Sequence, residues 1–122
     1  MGNVGKTLQQ GLLELRGREL ASVEFVRDYV QFRFDGPYLT VHVLPSIITA
    51  HGDTLTPGER CYRDSLCERI GVKVRDTEVV AHTEVAVHFE DGTAFRISLR
   101  EEDYRGPEAV EFINEGGDIW VT

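Results

Sequence analysis

The sequence lacks the features that would assign it to several large functional classes. It has no basic excess, because 13 Lys and Arg residues stand against 21 acidic ones and the formal charge is −8. Binding to phosphates needs a basic surface, so the charge argues against nucleic acid and against anionic membranes. No apolar run approaches the ~18–20 residues of a membrane-spanning helix. We therefore expect neither a nucleic-acid partner nor a membrane partner.

Cysteine is scarce, and no apolar amino-terminal segment of the signal-peptide type is visible. Cys61 and Cys67 are the only cysteines, and both fall in a segment predicted to be helical. Six helical residues rise ~9 Å, which exceeds the ~4.4–6.8 Å between Cα atoms that a disulfide spans. We expect reduced thiols that act as small buried apolar side chains, and a cytoplasmic location.

Motifs for catalysis and for cofactor binding are also missing. The segment Gly2–Thr7 lacks the first glycine of a phosphate-binding loop. None of the four histidines stands four residues from another ligand-type residue on a predicted helix, so no metal spacing is recognisable. The sequence therefore predicts no cofactor, no metal site and no catalytic residue.

An internal repeat is the most informative feature that is present. The chain has 122 residues, 41% of them hydrophobic, which suits one domain over residues 1–122. Residues 17–43 resemble residues 71–99, and strictly alternating apolar residues in both copies predict strands with one buried face. Asp91-Gly92 is a strong hairpin signal. Phe34 and Phe89 fall at equivalent positions, where we expect both to be buried.

The repeat predicts an α+β fold that is mostly β. Each copy is read as a three-stranded antiparallel meander, and the two pseudo-symmetric meanders would form a sandwich or a partly open barrel. The alternation breaks at the same place in both copies, which predicts a β-bulge near Ser22 and another near Asp76.

One helix is predicted between the copies, over residues 57–70. Thr56, Pro57 and Glu59 form a helix-start signal, and Tyr62, Leu66 and Ile70 would be its buried stripe. For the remaining segments the sequence predicts a loose amino terminus over residues 1–7, a loop over residues 45–55, a short helical turn over residues 107–113 and a final strand over residues 118–122.

Three segments resemble a group of small bacterial proteins that have an internal β-meander repeat and no established activity. They are Asp28-Tyr29-Val30, Tyr62–Cys67 and Arg100–Ala109, the last reading Arg-x-Glu-Asp-Tyr-x-Gly-Pro-Glu-Ala. The resemblance covers about residues 17–112. It implies a shape and no mechanism.

Basic side chains on the polar face of the meanders are the first candidate site. Alternation directs five of them outward: Arg33, His42, His88, Arg96 and Arg100. Such a face could bind the carboxylate or phosphate of a small ligand, with or without catalysis. The alternative is a solvated sheet face with cross-strand ion pairs.

The acidic end of the chain is the second candidate site. Seven acidic residues and only one basic residue follow Arg100, and Glu102, Glu108 and Glu111 are the candidate contacts. A surface of one sign accelerates association with an oppositely charged protein, whereas solubility alone is the simpler explanation. We expect a non-enzymatic protein-binding module, an antagonist of a basic partner. We also expect a homodimer that uses a sheet edge or the exposed sheet face, because the predicted strand edge at Val79–Ala81 carries no charge to protect it.

Overall fold

The computed structural model describes residues 6–122 as two open five-stranded antiparallel sheets with two short helices. The helices are α1 (Leu8–Leu12) and α2 (Tyr62–Cys67). The first sheet has the order β1-β2-β3-β9-β10, with β1 (Ser22–Val26), β2 (Tyr29–Arg33), β3 (Tyr38–Val41), β9 (Val110–Ile113) and β10 (Ile119–Val121). The second has the order β5-β4-β8-β7-β6, with β4 (Ser46–Ile48), β5 (Thr54–Leu55), β6 (Val74–Val80), β7 (Glu84–Phe89) and β8 (Ala94–Ser98). The prediction of a mostly β, α+β fold is confirmed.

The internal repeat is structural, and it is longer than the sequence comparison indicated. The first half of the described chain (α1 to β5) and the second half (α2 to β10) each contain a helix followed by five strands. Each half sends its last hairpin to the other sheet, because β4 pairs with β8 and β9 pairs with β3. Phe34 and Phe89 are both fully buried, as expected.

Aromatic side chains from the two sheets meet in the shared core. The ring of Phe32 lies 4.9 Å from that of Phe95 across the sandwich, and Phe95 lies equally close to Phe89. The helices close the two open sides between the sheets. On one side α1 brings Gly11 so close to the ring of Trp120 that a Cβ on Gly11 would lie 2.7 Å from it.

The bulge predicted near Asp76 is confirmed at the start of β6, and the hydrogen bonds beside Ser22 indicate its counterpart in the first half. In β6 the register shifts between Val74 and Asp76, so that Arg75 is the extra residue. In the first half Ser22 pairs with Arg33, and the amide of Ala21 also donates to the Arg33 carbonyl, over 2.7 Å. The equivalent bulges fix the register that follows them.

The helix predicted over residues 57–70 is shorter than expected and begins at Tyr62. Gly58 (φ 93°) and Cys61 (φ 69°) are left-handed, which an α-helix does not tolerate. The start signal at Thr56 is used differently: the Glu59 carboxylate accepts from the backbone amide and hydroxyl of Thr56 and closes a turn. Ile70 lies beyond the helix and is 45% exposed, so its assignment to the buried stripe is wrong.

Other local predictions fail because strand pairing decides them. Residues 45–55 contain β4 and β5 rather than a loop alone, and residues 110–113 form β9 rather than a helical turn. The final strand is confirmed as β10. The loose amino terminus was predicted too long: Thr7 already caps α1 by accepting from the Gln10 amide, while residues 1–5 lie outside the described part. Both cysteines are exposed and unbonded, so their predicted burial is wrong.

Candidate functional site

The five predicted ligand-binding side chains are divided between the two sheets. Arg33 and His42 belong to the first sheet, at the end of β2 and just after β3, whereas His88 and Arg96 lie on β7 and β8 of the second. Arg100 follows β8 and lines a shallow hollow that also includes Glu102. The five residues therefore do not form one surface.

Four of these five side chains already contact a carboxylate. Arg33 Nε lies 3.3 Å from Glu24, and His88 Nε2 lies 3.6 Å from Glu78 at the equivalent place in the other half. Arg96 binds Glu84 with both Nε and Nη2, over 2.6–3.2 Å. This hydrogen bonding to Glu84 raises the pKa of Arg96. His42 Nε2 lies 3.1 Å from Glu111. These contacts are those of the alternative interpretation, a sheet face with cross-strand ion pairs.

The acidic residues after Arg100 also do not form a single patch. Glu102 lies in the turn Glu101–Asp103, near β8, whereas Glu108 and Glu111 lie beside His42 in the other sheet. Several of the remaining acids hold the local structure. Asp103 accepts from the Ser98 hydroxyl, and Glu115 pairs with Arg18 at 2.9 Å.

His42, Glu108 and Glu111 form a cluster that the sequence spacing did not reveal. One ligand atom from each lies within 4.8 Å of the other two, and all three residues are partly buried. Imidazole nitrogens and carboxylate oxygens are common ligands of divalent metal ions. The pairing of β3 with β9 brings these distant segments together. Within the cluster, His42 Nε2 is hydrogen-bonded to the Glu111 carboxylate over 3.1 Å.

A groove of about 380 Å³ lies between the β1–β2 hairpin and the start of α2; we call it the docking groove. Its apolar wall includes Phe25 and Val26, which are 41% and 43% exposed on the edge strand β1. Exposed apolar side chains beside an unpaired strand edge can associate with another chain. Val80 and Val121 are similarly exposed on other edge strands, but they do not line this groove.

Charges of both signs line the docking groove without pairing there. Its lining includes Arg27, Arg63 and Arg105 opposite Asp28, Glu59 and Asp64. Within residues 6–122, none of the three arginines has a carboxylate within ion-pair distance, although Arg63 lies over the Phe25 ring at 5.3 Å. By contrast, the arginines on the outer sheet faces, Arg33 and Arg96, are paired.

Tyr62 forms the floor of the docking groove and fixes α2 to the core. Its side chain is buried, and its hydroxyl donates to the carbonyl of Pro45. Burial disfavours the phenolate and raises the pKa of Tyr62 far above that of a solvated tyrosine. The sequence predicted Tyr62 as buried but offered no sign of the groove beside it.

Comparison with known proteins does not name this arrangement. No family model matches the chain, and neither a curated protein nor a solved structure matches it. Within the described residues, no helix combines the length and apolarity needed to cross a membrane.

Proposed function

We propose that the chain is a non-enzymatic protein-binding module and that the docking groove is its binding surface. The main support for this proposal is that half-exposed Phe25 and Val26 adjoin three arginines that have no ion-pair partner in the described chain. A partner side chain packed on Phe25 would remove apolar surface from water, at roughly 25 cal/mol per Å². Fully desolvated aromatic and arginine residues are the types that dominate binding energy at interfaces.

The balance of charge in the groove favours a polypeptide over a small anion. Three acidic side chains line the groove together with the three arginines, so its formal charge is zero. A phosphate or carboxylate ligand would meet Asp28 and Asp64 as well as the arginines, and like charges oppose binding. A polypeptide segment can offer both signs and an apolar side chain at once.

The long-range charge supports a basic partner protein. The formal charge of −8 attracts a positively charged protein before contact and makes association fall with salt. Glu102, Glu108 and Glu111 contribute to this field, although they lie at separate places on the surface. The exposed free thiols of Cys61 and Cys67 support a reducing compartment such as the cytoplasm.

Selection from a displayed random peptide library against the immobilised chain tests this function. Enriched peptides are then titrated by fluorescence polarisation against wild type, Phe25→Asp and Val121→Asp. Val121 is the matched control because it is an apolar residue, 53% exposed, on the other edge strand of the same sheet. We expect Phe25→Asp to weaken binding by about tenfold or more, as for an interface hot spot. Val121→Asp should leave the affinity within about twofold. No enrichment, or equal loss in both variants, would contradict the proposal.

A further inference from the structure

The edge of β6 is closed by a single side chain from the other half of the molecule. The Gln9 carboxamide accepts from the Val79 amide over 2.6 Å and donates to the Thr77 carbonyl over 3.2 Å. A carboxamide carries the same acceptor and donor as a peptide group, so Gln9 stands in for a neighbouring strand. The expectation of a poorly protected edge at Val79–Ala81 is therefore wrong, and the homodimer remains a prediction without this edge.

The equivalent edge in the other half has no such closure. Arg63 is the second residue of α2, as Gln9 is of α1, and α2 contacts β1 as α1 contacts β6. A guanidinium has donors only, so Arg63 cannot accept from a backbone amide. Its guanidinium instead lies over the ring of Phe25.

The backbone of β1 is correspondingly open. Because the bulges at Ser22 and Asp76 set the same register, Val23 and Phe25 correspond to Thr77 and Val79. Outside the β1–β2 ladder, the described residues give the backbone groups of Val23 and Phe25 no hydrogen-bond partner. Unpaired edge groups beside exposed apolar side chains form a template for another strand.

We propose that the partner binds as an added strand on β1, with an extended segment taking the place that Gln9 takes on β6. A carbonyl of the segment accepts from the Phe25 amide, and an amide of the segment donates to the Val23 carbonyl. Its adjacent apolar side chain packs into the docking groove on Phe25. The inference rests on the proposed function and adds the binding mode, which is strand addition.

The occupant is a segment of a different protein rather than a second copy. Each copy carries a formal charge of −8, so a second copy at the β1 edge would meet like charge, whereas a basic segment would be attracted there. A basic partner lacks this penalty. The peptide segment has no fixed sequence requirement at the hydrogen-bonded positions, because β1 offers backbone groups there; selectivity comes from the side chain in the groove.

Two substitutions of one residue test the binding mode. Arg63→Gln places the edge-closing side chain of α1 at the equivalent position of α2. Arg63→Met removes the charge, keeps the length and leaves the edge open. Both variants lose the Arg63 charge, so the edge is tested by the difference between them: using the peptides enriched on wild type, we expect Arg63→Gln to weaken binding about tenfold more than Arg63→Met does.

Each outcome has a defined consequence. Equal losses in both Arg63 variants would overturn strand addition, because the charge and not the edge would then matter; the proposed function would stand if Phe25→Asp still abolished binding. Binding that survives Phe25→Asp would overturn both. Self-association of the chain in sedimentation that Phe25→Asp abolishes would overturn the assignment to a different protein.

A second measurement covers the case in which Arg63→Gln does not fold. Peptides methylated singly at successive backbone nitrogens are titrated against wild type. Strand addition predicts that methylation at alternate residues abolishes binding while methylation between them is tolerated. Uniform tolerance would overturn the proposal.

Discussion

Gln9 and Arg63 occupy equivalent positions in the two halves, yet only Gln9 closes the strand edge beside it. The two residues have similar surroundings, because α1 lies beside β6 and α2 lies beside β1, in each case the first strand of the other half. The difference is chemical: the carboxamide has an acceptor and the guanidinium has none. A near-symmetric fold therefore has one closed edge and one open edge.

Removing the Gln9 carboxamide should open the second edge and destabilise the fold. Gln9→Met leaves the Val79 amide and the Thr77 carbonyl without their partner, which we expect to lower the free energy of unfolding by about 1–3 kcal/mol. Urea titration measures this change. Arg75→Met is the control on the same strand, since Arg75 is exposed and has no ion pair within residues 6–122. A loss no larger than that of the control would show that Gln9 does not close the edge.

The buried phenylalanines of the repeat should contribute equally. Phe34→Ala and Phe89→Ala each remove a fully buried ring from the shared core. We expect each to cost about 3–5 kcal/mol in the free energy of unfolding. Chemical denaturation of both variants measures the two values. A large difference between them would mean that the halves do not share the core evenly.

Gly11 should be required because of the Trp120 ring. A Cβ at this position would lie 2.7 Å from the ring, so Gly11→Ala forces a shift in a packed region. We expect a loss of about 1–3 kcal/mol despite the better helix propensity of alanine. Gly106→Ala is the control, because no atom lies within 4 Å of its Cβ. Equal melting temperatures for the two variants would contradict the packing described here.

Tyr62 should make the protein sensitive to alkaline pH. Its folded-state pKa is raised by burial, whereas the unfolded phenol ionises near pH ~10. The raised pKa contributes stability that is fully present below pH ~10 and is lost as the pH rises above it. Tyr62→Phe has no phenol to ionise, so its stability should not fall in this pH range. It also lacks the hydrogen bond to the Pro45 carbonyl, which should lower its free energy of unfolding by about 1–3 kcal/mol near neutral pH.

Urea titrations of wild type and Tyr62→Phe from pH 7 to pH ~11 measure this effect. The stability difference between the two proteins should narrow above pH ~10. A constant difference across the series would show that the Tyr62 phenol ionises equally in both states.

The features of the fold that could be predicted are those that produce a pattern among residues close together in the sequence. Strict alternation predicted that Phe34 and Phe89 occupy equivalent buried positions, and the shared parity break located the bulges before Val23 and Thr77. Residues 107–113 were misassigned because a short segment with Pro107 fits a helix start, whereas its pairing with β3 is a long-range contact.

The candidate site was largely beyond sequence reasoning for the same reason. His42 contacts Glu111 only because β3 pairs with β9. Gln9 contacts Thr77 only because α1 of the first half packs against β6 of the second half. Alternation correctly indicated outward basic side chains such as Arg33, but it could not show that Glu24 already neutralises that charge. The open edge of β1 is apparent only in the three-dimensional structure, where it can be compared with the closed edge of β6.

Amide hydrogen exchange of the free protein, measured by NMR, tests the central claim most directly. The Val79 amide is bonded to Gln9 and should exchange slowly, whereas the Phe25 amide at the equivalent place should exchange at the rate of an exposed group. In Arg63→Gln the Phe25 amide should become protected. Equal protection of the two amides in wild type would contradict the account of one closed edge and one open edge.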